Sequence, residues 1–272
     1  MKIVVCVKQV PEVTNVQVDP KTGTLIREGV QAILNPICEY ALDQALRLAG
    51  SRQDVEIIVL SMGPQQAKEA LYRCLELGAD TAILVSDRKF AGADTWATSL
   101  TLAETIRKFV PDFDLVLMGK QAIDGDTAQV GPEVAEILAV PQITYAVELS
   151  LNQAGKRIQV KRELEDGEET LETSLPALVT VSKGEAVRRM ASLQSFLNGR
   201  SKEIRTVTAA ELGLSEDQLG LAGSFTQVVK VFPPQTRQQG RVLDGSDADS
   251  AARVIVEYLL EQQFVNKNEA NE

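Results

Sequence analysis

Short aliphatic runs alternate with helix-patterned segments along the first 140 residues of this chain, and this alternation limits its possible folds most strongly. The aliphatic runs cover residues 1–7, 55–61, 81–86 and 114–118. Continuous apolar runs of this length are typical of strands that are buried on both faces of a sheet. The helical patterns cover residues 38–49, 64–77, 94–109 and 127–138. We therefore expect an α/β fold with a doubly wound, mostly parallel sheet and helices on both faces.

The pattern changes after about residue 140. Residues 143–150 and 157–164 alternate apolar and polar side chains, which predicts a small antiparallel portion, and an acidic turn at 165–169 leads to another buried run at 175–182. The segment 183–245 has little periodicity, so we expect an extended C-terminal arm that ends in an amphipathic helix at about 250–264. We accordingly divide the chain into an α/β domain at 1–182, an arm at 183–245, and a helix with its tail at 246–272.

The composition excludes several classes of function. Histidine is absent, and Cys6, Cys38 and Cys74 form no C-x-x-C pair, so Ser-His-Asp and Cys-His catalysis are excluded and a metal site has no support. A net charge of −10 disfavours nucleic acid as a partner, because its binding requires Lys and Arg at the phosphates. The N-terminus lacks a signal-peptide layout, and no stretch approaches the roughly 18 apolar residues of a membrane span. We expect a cytoplasmic protein without membrane insertion.

The loops that follow the predicted strands are the places to look for a ligand, because parallel sheets bind ligands beyond the carboxyl ends of their strands. These loops cover residues 8–11, 61–64, 86–95 and 119–127. In the last of them, backbone N–H groups and the start of the next helix are suited to an anionic phosphate. Gly119 and Gly125 permit close backbone approach, and Thr127 and Gln129 carry hydrogen-bond donors.

A second interpretation of this loop remains open. It is also typical of an ordinary turn between a strand and a helix, in which Asp124 or Asp126 caps the helix. Two aspartates close to a phosphate would be unfavourable unless their carboxylates face away from it.

Several separate motifs, in the correct order from residue 1 to about 260, resemble the beta subunit of electron-transfer flavoproteins. One is Gly-Lys-Gln-Ala-Ile-Asp-Gly-Asp at 119–126, followed by Gln129; another, at 160–180, has a basic residue, an acidic turn with glycine, and a buried strand with proline. The other motifs are Val5–Pro11, Asn35–Glu39, Ser61–Pro64 and Pro233-Pro234. The resemblance implies a heterodimer with an alpha subunit, which the C-terminal helix would contact, and a bound AMP or, in the bifurcating branch, a second FAD.

The same resemblance implies a set of cofactor-binding positions in this chain. Each has a plainer alternative: Cys6 as core with only backbone contact, Asn35-Pro36 as a turn with Asn35 as a helix cap, and Met62 as simple packing. The implied positions are Cys6, Asn35, Pro36, Ile37, Cys38, Met62, Asp94, Thr95, Gly119, Lys120, Gln121, Ala122, Ile123, Asp124, Gly125, Asp126, Thr127, Ala128, Gln129 and Val130.

Three features are similar to the bifurcating branch of this family. Gly125 follows Asp124, residues 126–132 look like sequences from anaerobes, and residues 86–95 resemble a loop that in this branch helps to hold FAD and receives NADH. At the end of that loop, Asp94-Thr95 could bind a pyrophosphate or a ribose hydroxyl, or Asp94 could simply cap a helix. The absence of a G-x-G-x-x-G fingerprint disfavours a conventional NAD domain.

The function that this branch implies is flavin-based electron bifurcation. FAD in this chain would take a hydride from NADH, with one electron passing to ferredoxin and the other, through the alpha-subunit FAD, to an acyl-CoA or hydroxy-acid dehydrogenase. We assign no side chain as nucleophile, acid or base, so whether the chain is itself an enzyme stays open. The alternatives are a non-bifurcating electron-transfer subunit with structural AMP, an adenine-nucleotide-binding sensor domain, and a structural subunit with an empty site.

One segment departs from the family pattern. After the buried strand at 179–181 the family usually shows Asn-Glu-Pro-Arg near its dehydrogenase-docking loop, whereas this chain has Lys183-Gly184-Glu185-Ala186. Glu185 stands roughly where an apolar anchor is expected, which argues against the standard acyl-CoA dehydrogenase partner. Alternatively, the anchor has shifted to Val187, Met190 or Leu193.

Overall fold

A computed structural model of the chain describes residues 1–12, 17–18, 25–26, 32–50, 52, 54–152, 154–184, 189–229, 240 and 242–265. Its strands are β1 (Lys2–Cys6), β2 (Gln9–Pro11), β3 (Gln17–Val18), β4 (Leu25–Ile26), β5 (Ala32–Leu34), β6 (Glu56–Met62), β7 (Thr81–Val85), β8 (Leu115–Gly119), β9 (Gln142–Leu151), β10 (Arg157–Glu163), β11 (Glu168–Ser174), β12 (Ala177–Val181) and β13 (Ile204–Val207). Its α-helices are α1 (Pro36–Gly50), α2 (Lys68–Leu77), α3 (Thr95–Phe109), α4 (Val130–Leu138), α5 (Leu193–Ser201), α6 (Ala209–Leu212) and α7 (Ala248–Glu261). The chain separates into two compact units, Met1–Val231 and Phe232–Glu272.

A sheet of nine strands forms the centre of the first unit. The strand order is β11-β10-β9-β12-β8-β1-β6-β7-β13, and every pair from β9 to β13 is parallel. The hairpin β10–β11 and its pairing with β9 supply the antiparallel portion. The chain runs outward from β1 through β6 to β7 and then returns to β8 on the other side of β1. The order of the strands therefore reverses between β1 and β8, which is where such sheets bind ligands.

Both faces of this sheet are covered, which explains the continuous apolar runs. In β1, the side chains of Ile3 and Val5 belong to one core cluster, together with residues of α1 and α2. Val4 and Cys6 belong to the other core cluster, together with residues of α3 and α4. Because successive side chains of a strand point to opposite faces, only a strand that is apolar at every position can serve two cores. The predicted doubly wound α/β fold is confirmed.

The segment 183–245 differs from the extended arm that its poor periodicity predicts. It contains α5, α6 and β13, and β13 extends the parallel sheet beside β7. Helix α5 packs so closely on α2 that a Cβ on Gly199 would lie 2.5 Å from the backbone nitrogen of Glu76. Glu76 is buried, and its carboxylate accepts a hydrogen bond from Arg200 of α5 (2.7 Å). These are long-range contacts, which a search for local periodicity does not detect.

The second unit contains α7, close to the predicted 250–264. Asp247 caps this helix by accepting a hydrogen bond from the backbone N–H of Ser250 (3.4 Å). None of the residues of α7 is buried, and Ile255, Val256 and Tyr258 are about half exposed. Among the described residues, no helix combines the length and the apolar character needed to cross a membrane.

Candidate functional site

A cleft of about 1270 Å³ lies at the carboxyl ends of the parallel strands, within the first unit. Its wall includes Cys6 at the end of β1 and Gly119 at the end of β8, the two strands between which the strand order reverses. Residues of all four loops named from the strand pattern contribute to it: Lys8, Gly63, most of 86–95, and most of 119–127. The cleft exceeds the roughly 300–1,000 Å³ of ordinary small-molecule pockets. The cleft therefore lies at the loops that the strand alternation indicates.

Most of the predicted cofactor-binding positions line this cleft. Those in its wall are Cys6, Asn35, Cys38, Met62, Asp94, Thr95, Gly119, Lys120, Gln121, Ala122, Gly125, Asp126, Thr127, Ala128, Gln129 and Val130. Pro36, Ile37, Ile123 and Asp124 are not part of the wall. Pro36 and Ile37 begin α1, where successive side chains turn by about 100° and so cannot all face one cavity. Cofactor binding by any of these residues stays a prediction.

Asn35 joins the two main segments of the cleft wall. It is 0% exposed, and its side-chain amide donates to the carbonyl oxygen of Gln121 (2.9 Å) and to the Sγ of Cys38 (3.2 Å). Its Oδ1 accepts from the backbone N–H of Ile123 (3.4 Å), and its carbonyl oxygen accepts from the N–H of Cys38 (2.8 Å). Asn35 thus fixes the loop after β8 to the start of α1, so its side chain positions the loop rather than capping α1.

The prediction that Asp124 or Asp126 caps α4 is wrong. Asp124 accepts two hydrogen bonds from the Nζ of Lys8 (2.8 and 2.9 Å), and Asp126 accepts one from the side chain of Gln121. The residue that precedes α4 is Gln129, whose side chain makes no capping hydrogen bond. The first N–H groups of α4 therefore lack a side-chain cap, and Gln129 and Val130 lie in the cleft wall.

The backbone of this loop also takes an uncommon conformation. Asp126 has φ 54° and Ala128 has φ 55°, both in the left-handed region that residues with a Cβ seldom adopt. Such residues cost roughly 1–3 kcal/mol each and occur preferentially at binding sites. Together with the uncapped start of α4, these two turns give a loop that is suited to an anion.

Asp94 caps α3, which is one of the two roles that the sequence suggests for this residue. Its carboxylate accepts from the N–H of Ala97 (3.0 Å) and from both the N–H (2.9 Å) and the hydroxyl (3.0 Å) of Thr226. Partial burial by itself would raise the pKa of Asp94, but the hydrogen bonds from Ala97 and Thr226 outweigh it and lower the pKa. The carboxylate is therefore ionised at neutral pH.

Thr95 takes part in a polar link between α3 and α4. Its hydroxyl donates to one carboxylate oxygen of Glu133 (3.0 Å), and the hydroxyl of Ser99 donates to the other (2.8 Å). Both Thr95 and Glu133 line the cleft. This link holds the starts of the two helices side by side at the cleft.

The sequence patterns did not identify one part of the cleft wall. Phe225, Thr226 and Val228 belong to the wall and come from residues 220–228, which we name the return segment. This segment follows β13 and α6 and lies in the part of the chain that has little periodicity. Its only local signals are Gly220 and Gly223, and neither indicates a ligand site.

The three cysteines are buried, and their thiols are expected to be unreactive. Burial raises the pKa of the Cys6 thiol to about 12, with a smaller contribution from Cys38. Burial likewise raises the pKa values of Cys38 and Cys74. The thiolate is the reactive form, so all three thiols should be unreactive in the folded chain.

We expect the native protein to show no reaction with Ellman's reagent at about pH 8, and to show reaction of all three thiols in concentrated urea. As a control, Ser201→Cys places a thiol at an exposed position and should react at once in the native protein. Reaction of any of the three natural thiols before unfolding would contradict the burial of these residues.

The structure describes only part of the segment after residue 182, which departs from the family pattern. Glu185 and Val187 lie outside the described residues, so the suggested role of Glu185 stays a hypothesis. Met190 and Leu193 are 90% and 75% exposed. Beside them, Arg189 donates to the buried carboxylate of Asp43 on α1 (2.5 Å). Apolar side chains next to this ion pair are therefore available to a partner.

Comparison with known proteins supports the resemblance found in the motifs. Residues 22–212 match the electron transfer flavoprotein domain. The chain is 44% identical over 265 residues to the caffeyl-CoA reductase-Etf complex subunit CarD of Acetobacterium woodii, covering 97% of this chain and 100% of that protein. It is 43% identical over 272 residues to the electron transfer flavoprotein subunit beta of Megasphaera elsdenii, with 97% and 100% covered. It is also 43% identical over 254 residues to the protein FixA of Azotobacter vinelandii, with 92% and 90% covered.

Proposed function

This chain belongs to the electron transfer flavoprotein family as a beta subunit, and from that premise we propose that it holds FAD in its cleft and takes part in flavin-based electron bifurcation. When bound, the FAD would accept a hydride from NADH and deliver one electron to ferredoxin and one, through the FAD of the alpha subunit, to a partner dehydrogenase. The residues of the chain bind and orient the nucleotide, and none of them acts as nucleophile, acid or base.

The observation that carries this proposal is the continuity of the cleft. The loop at 119–130, suited to the phosphate of an adenylate, and the loop at 86–95 contribute to one wall. A cleft of about 1270 Å³ offers more room than AMP alone requires. A dinucleotide that places its adenylate at the first loop could therefore extend its second half toward the other loop.

The local charges fit a phosphate-bearing ligand. The carboxylates that could repel it have partners: Asp124 pairs with Lys8, Asp126 accepts from Gln121, and Asp94 accepts from Ala97 and Thr226. The positive ends of α3 and α4 lie at the wall, and that of α4 has no side-chain cap. We therefore propose that the phosphates lie near residues 125–130, held chiefly by backbone N–H groups.

The partners follow from the family and from two exposed apolar surfaces. We propose that the half-exposed face of α7, with Ile255 and Tyr258, packs on the alpha subunit, because an amphipathic helix gains its stability from the surface that it covers. We propose that Met190 and Leu193 face the partner dehydrogenase. The relative in the caffeyl-CoA reductase-Etf complex supports a partner that acts on acyl-CoA esters.

Identification of the bound nucleotides tests the proposal directly. We expect that the chain, co-expressed with its alpha subunit, purified and denatured, releases two FAD and no AMP per heterodimer. Chromatography of the supernatant against FAD and AMP standards measures both. The same heterodimer should be reduced by NADH, which absorbance of the flavin reports.

One FAD and one AMP per heterodimer would contradict the bifurcation proposal and leave this chain as an electron-transfer subunit with structural AMP. Release of no nucleotide beyond the alpha-subunit FAD would make this chain a structural subunit. As an internal control, the alpha subunit purified alone gives the amount of FAD that does not belong to this chain.

A further inference from the structure

Two aromatic side chains meet at the cleft. Trp96, at the start of α3, and Phe225, of the return segment, have ring centroids 5.6 Å apart and planes inclined by 42°. Both line the cleft wall, and they are 36% and 81% exposed. Trp96 is the one tryptophan of the whole sequence, and aromatic residues make up only 4% of it. A chain that uses few aromatic residues therefore presents two of them, in contact, in this cleft.

Phe225 is held in this place by the backbone around it. The N–H of Asp94 donates to the hydroxyl of Ser224 (2.8 Å), and the carboxylate of Asp94 accepts from Thr226, so both neighbours of Phe225 are fixed to the start of α3. The N–H of Leu221 donates to the carbonyl oxygen of Ala91 (3.1 Å). Hydrogen bonds thus hold the return segment at both ends of the loop 91–94, and they keep the backbone of Phe225 beside the start of α3.

This arrangement is costly unless a ligand covers it. An exposed phenylalanine ring gains little from folding, and fixing the segment that carries it costs conformational entropy. A planar ring stacked on the aromatic faces would recover both costs, because stacking contributes about 0.5–1.5 kcal/mol beyond the area buried. The cleft residues near 125–130 that are suited to phosphate carry no aromatic side chain, whereas Trp96 and Phe225 offer aromatic faces in the same cleft.

Building on the proposed function, we propose that Trp96 and Phe225 form the stacking platform for the flavin ring of FAD, and that Asp94 positions Phe225 for it. The adenylate then binds at residues 119–130 without contact to the platform. Loss of Phe225 consequently weakens ligands that contain the ring and leaves those that contain only the adenylate unchanged.

Titration of the full-length chain, stripped of nucleotide, with FAD, AMP and riboflavin tests this inference. Equilibrium dialysis gives the three affinities, and fluorescence of the single tryptophan reports occupancy of the platform. We expect FAD and riboflavin to quench the fluorescence of Trp96, and we expect AMP to leave this fluorescence nearly unchanged. Phe225→Ala should lower the affinity for FAD by about fivefold or more and the affinity for AMP by less than about twofold. Phe225→Tyr should restore the affinity for FAD. Val229→Ala, exposed and outside the cleft wall, is the control and should change neither ligand.

Each other outcome contradicts a different claim. Unchanged FAD affinity in Phe225→Ala, or an equal loss of FAD and AMP, would overturn the platform while leaving nucleotide binding intact. If Phe225→Ala instead weakens only the association with the alpha subunit, the aromatic pair is a protein contact and the platform is wrong. If the unaltered chain binds neither FAD nor AMP, the proposed function itself fails.

Asp94→Asn should lower the affinity for FAD and leave the affinity for AMP nearly unchanged. A change in AMP affinity alone would contradict the role of Asp94 in positioning Phe225.

Discussion

Gly119→Ala is expected to lower the free energy of unfolding by about 3 kcal/mol, because it overfills a close contact between backbone segments. A Cβ on Gly119 would lie 2.9 Å from the carbonyl carbon of Ile37 and 3.0 Å from the nitrogen of Cys38. Both of those atoms belong to the first turn of α1, which cannot move without shifting the helix on the sheet. Urea unfolding followed by circular dichroism measures the change.

Gly125→Ala is the matched control for this substitution. Gly125 lies six positions further along the same loop, has no heavy atom within 4 Å of an added Cβ, and is not among the glycines with positive φ. Its replacement should change the free energy of unfolding by less than about 0.5 kcal/mol. Equal stability of the two variants would mean that the end of β8 does not pack against the first turn of α1.

Asn35→Ala is expected to lower the free energy of unfolding by about 2–3 kcal/mol and to remove most of the bound nucleotide. The substitution leaves the carbonyl oxygen of Gln121 without the amide that donates to it (2.9 Å), in a partly buried environment, and an unpaired buried polar group costs about 1–3 kcal/mol. It also releases residues 121–123 from the start of α1. Urea unfolding and the nucleotide content of the purified heterodimer measure the two effects.

Asn198→Ala removes a comparable side chain from the exposed surface of α5. Its amide oxygen accepts from Gln194 (2.8 Å), and solvent can replace that hydrogen bond. We expect a change below about 0.5 kcal/mol and normal nucleotide content. If Asn35→Ala has reduced stability but normal nucleotide content, the loop keeps its shape without the hydrogen bonds of Asn35.

The elements of the parallel sheet could be predicted because their signal is local. The two cores of this sheet favour apolar residues at nearly every central position of β1, β6, β7 and β8, so each strand is visible as a short apolar run. Parallel sheets bind ligands beyond the carboxyl ends of their strands, and this rule then located the loops that contribute to the cleft. Motif resemblance added Asn35 and Cys38, which no periodicity identifies.

The parts that sequence reasoning missed depend on contacts between distant residues. Residues 193–207 form α5 and β13 because Gly199 fits against the backbone of α2 and because β7 offers a free edge. Neither condition can be read from those residues alone. Phe225 was missed for the same reason, since its place in the cleft is set by Asp94, more than a hundred positions earlier. Asp124 looked like a helix cap because its preferred partner, Lys8, is equally distant in the sequence.

The return segment has a consequence for the order in which the protein is made. The loops after β1, β6, β7 and β8 leave the ribosome early, but Phe225, Thr226 and Val228 are synthesised only after β13 and α6. Because chains fold from the N-terminus as they are synthesised, the nascent protein has an open, incomplete cleft for most of its translation. On the proposal that FAD binds in this cleft, the part of the wall assigned to the flavin ring is synthesised last, so complete capture of the cofactor would be a late event in biogenesis.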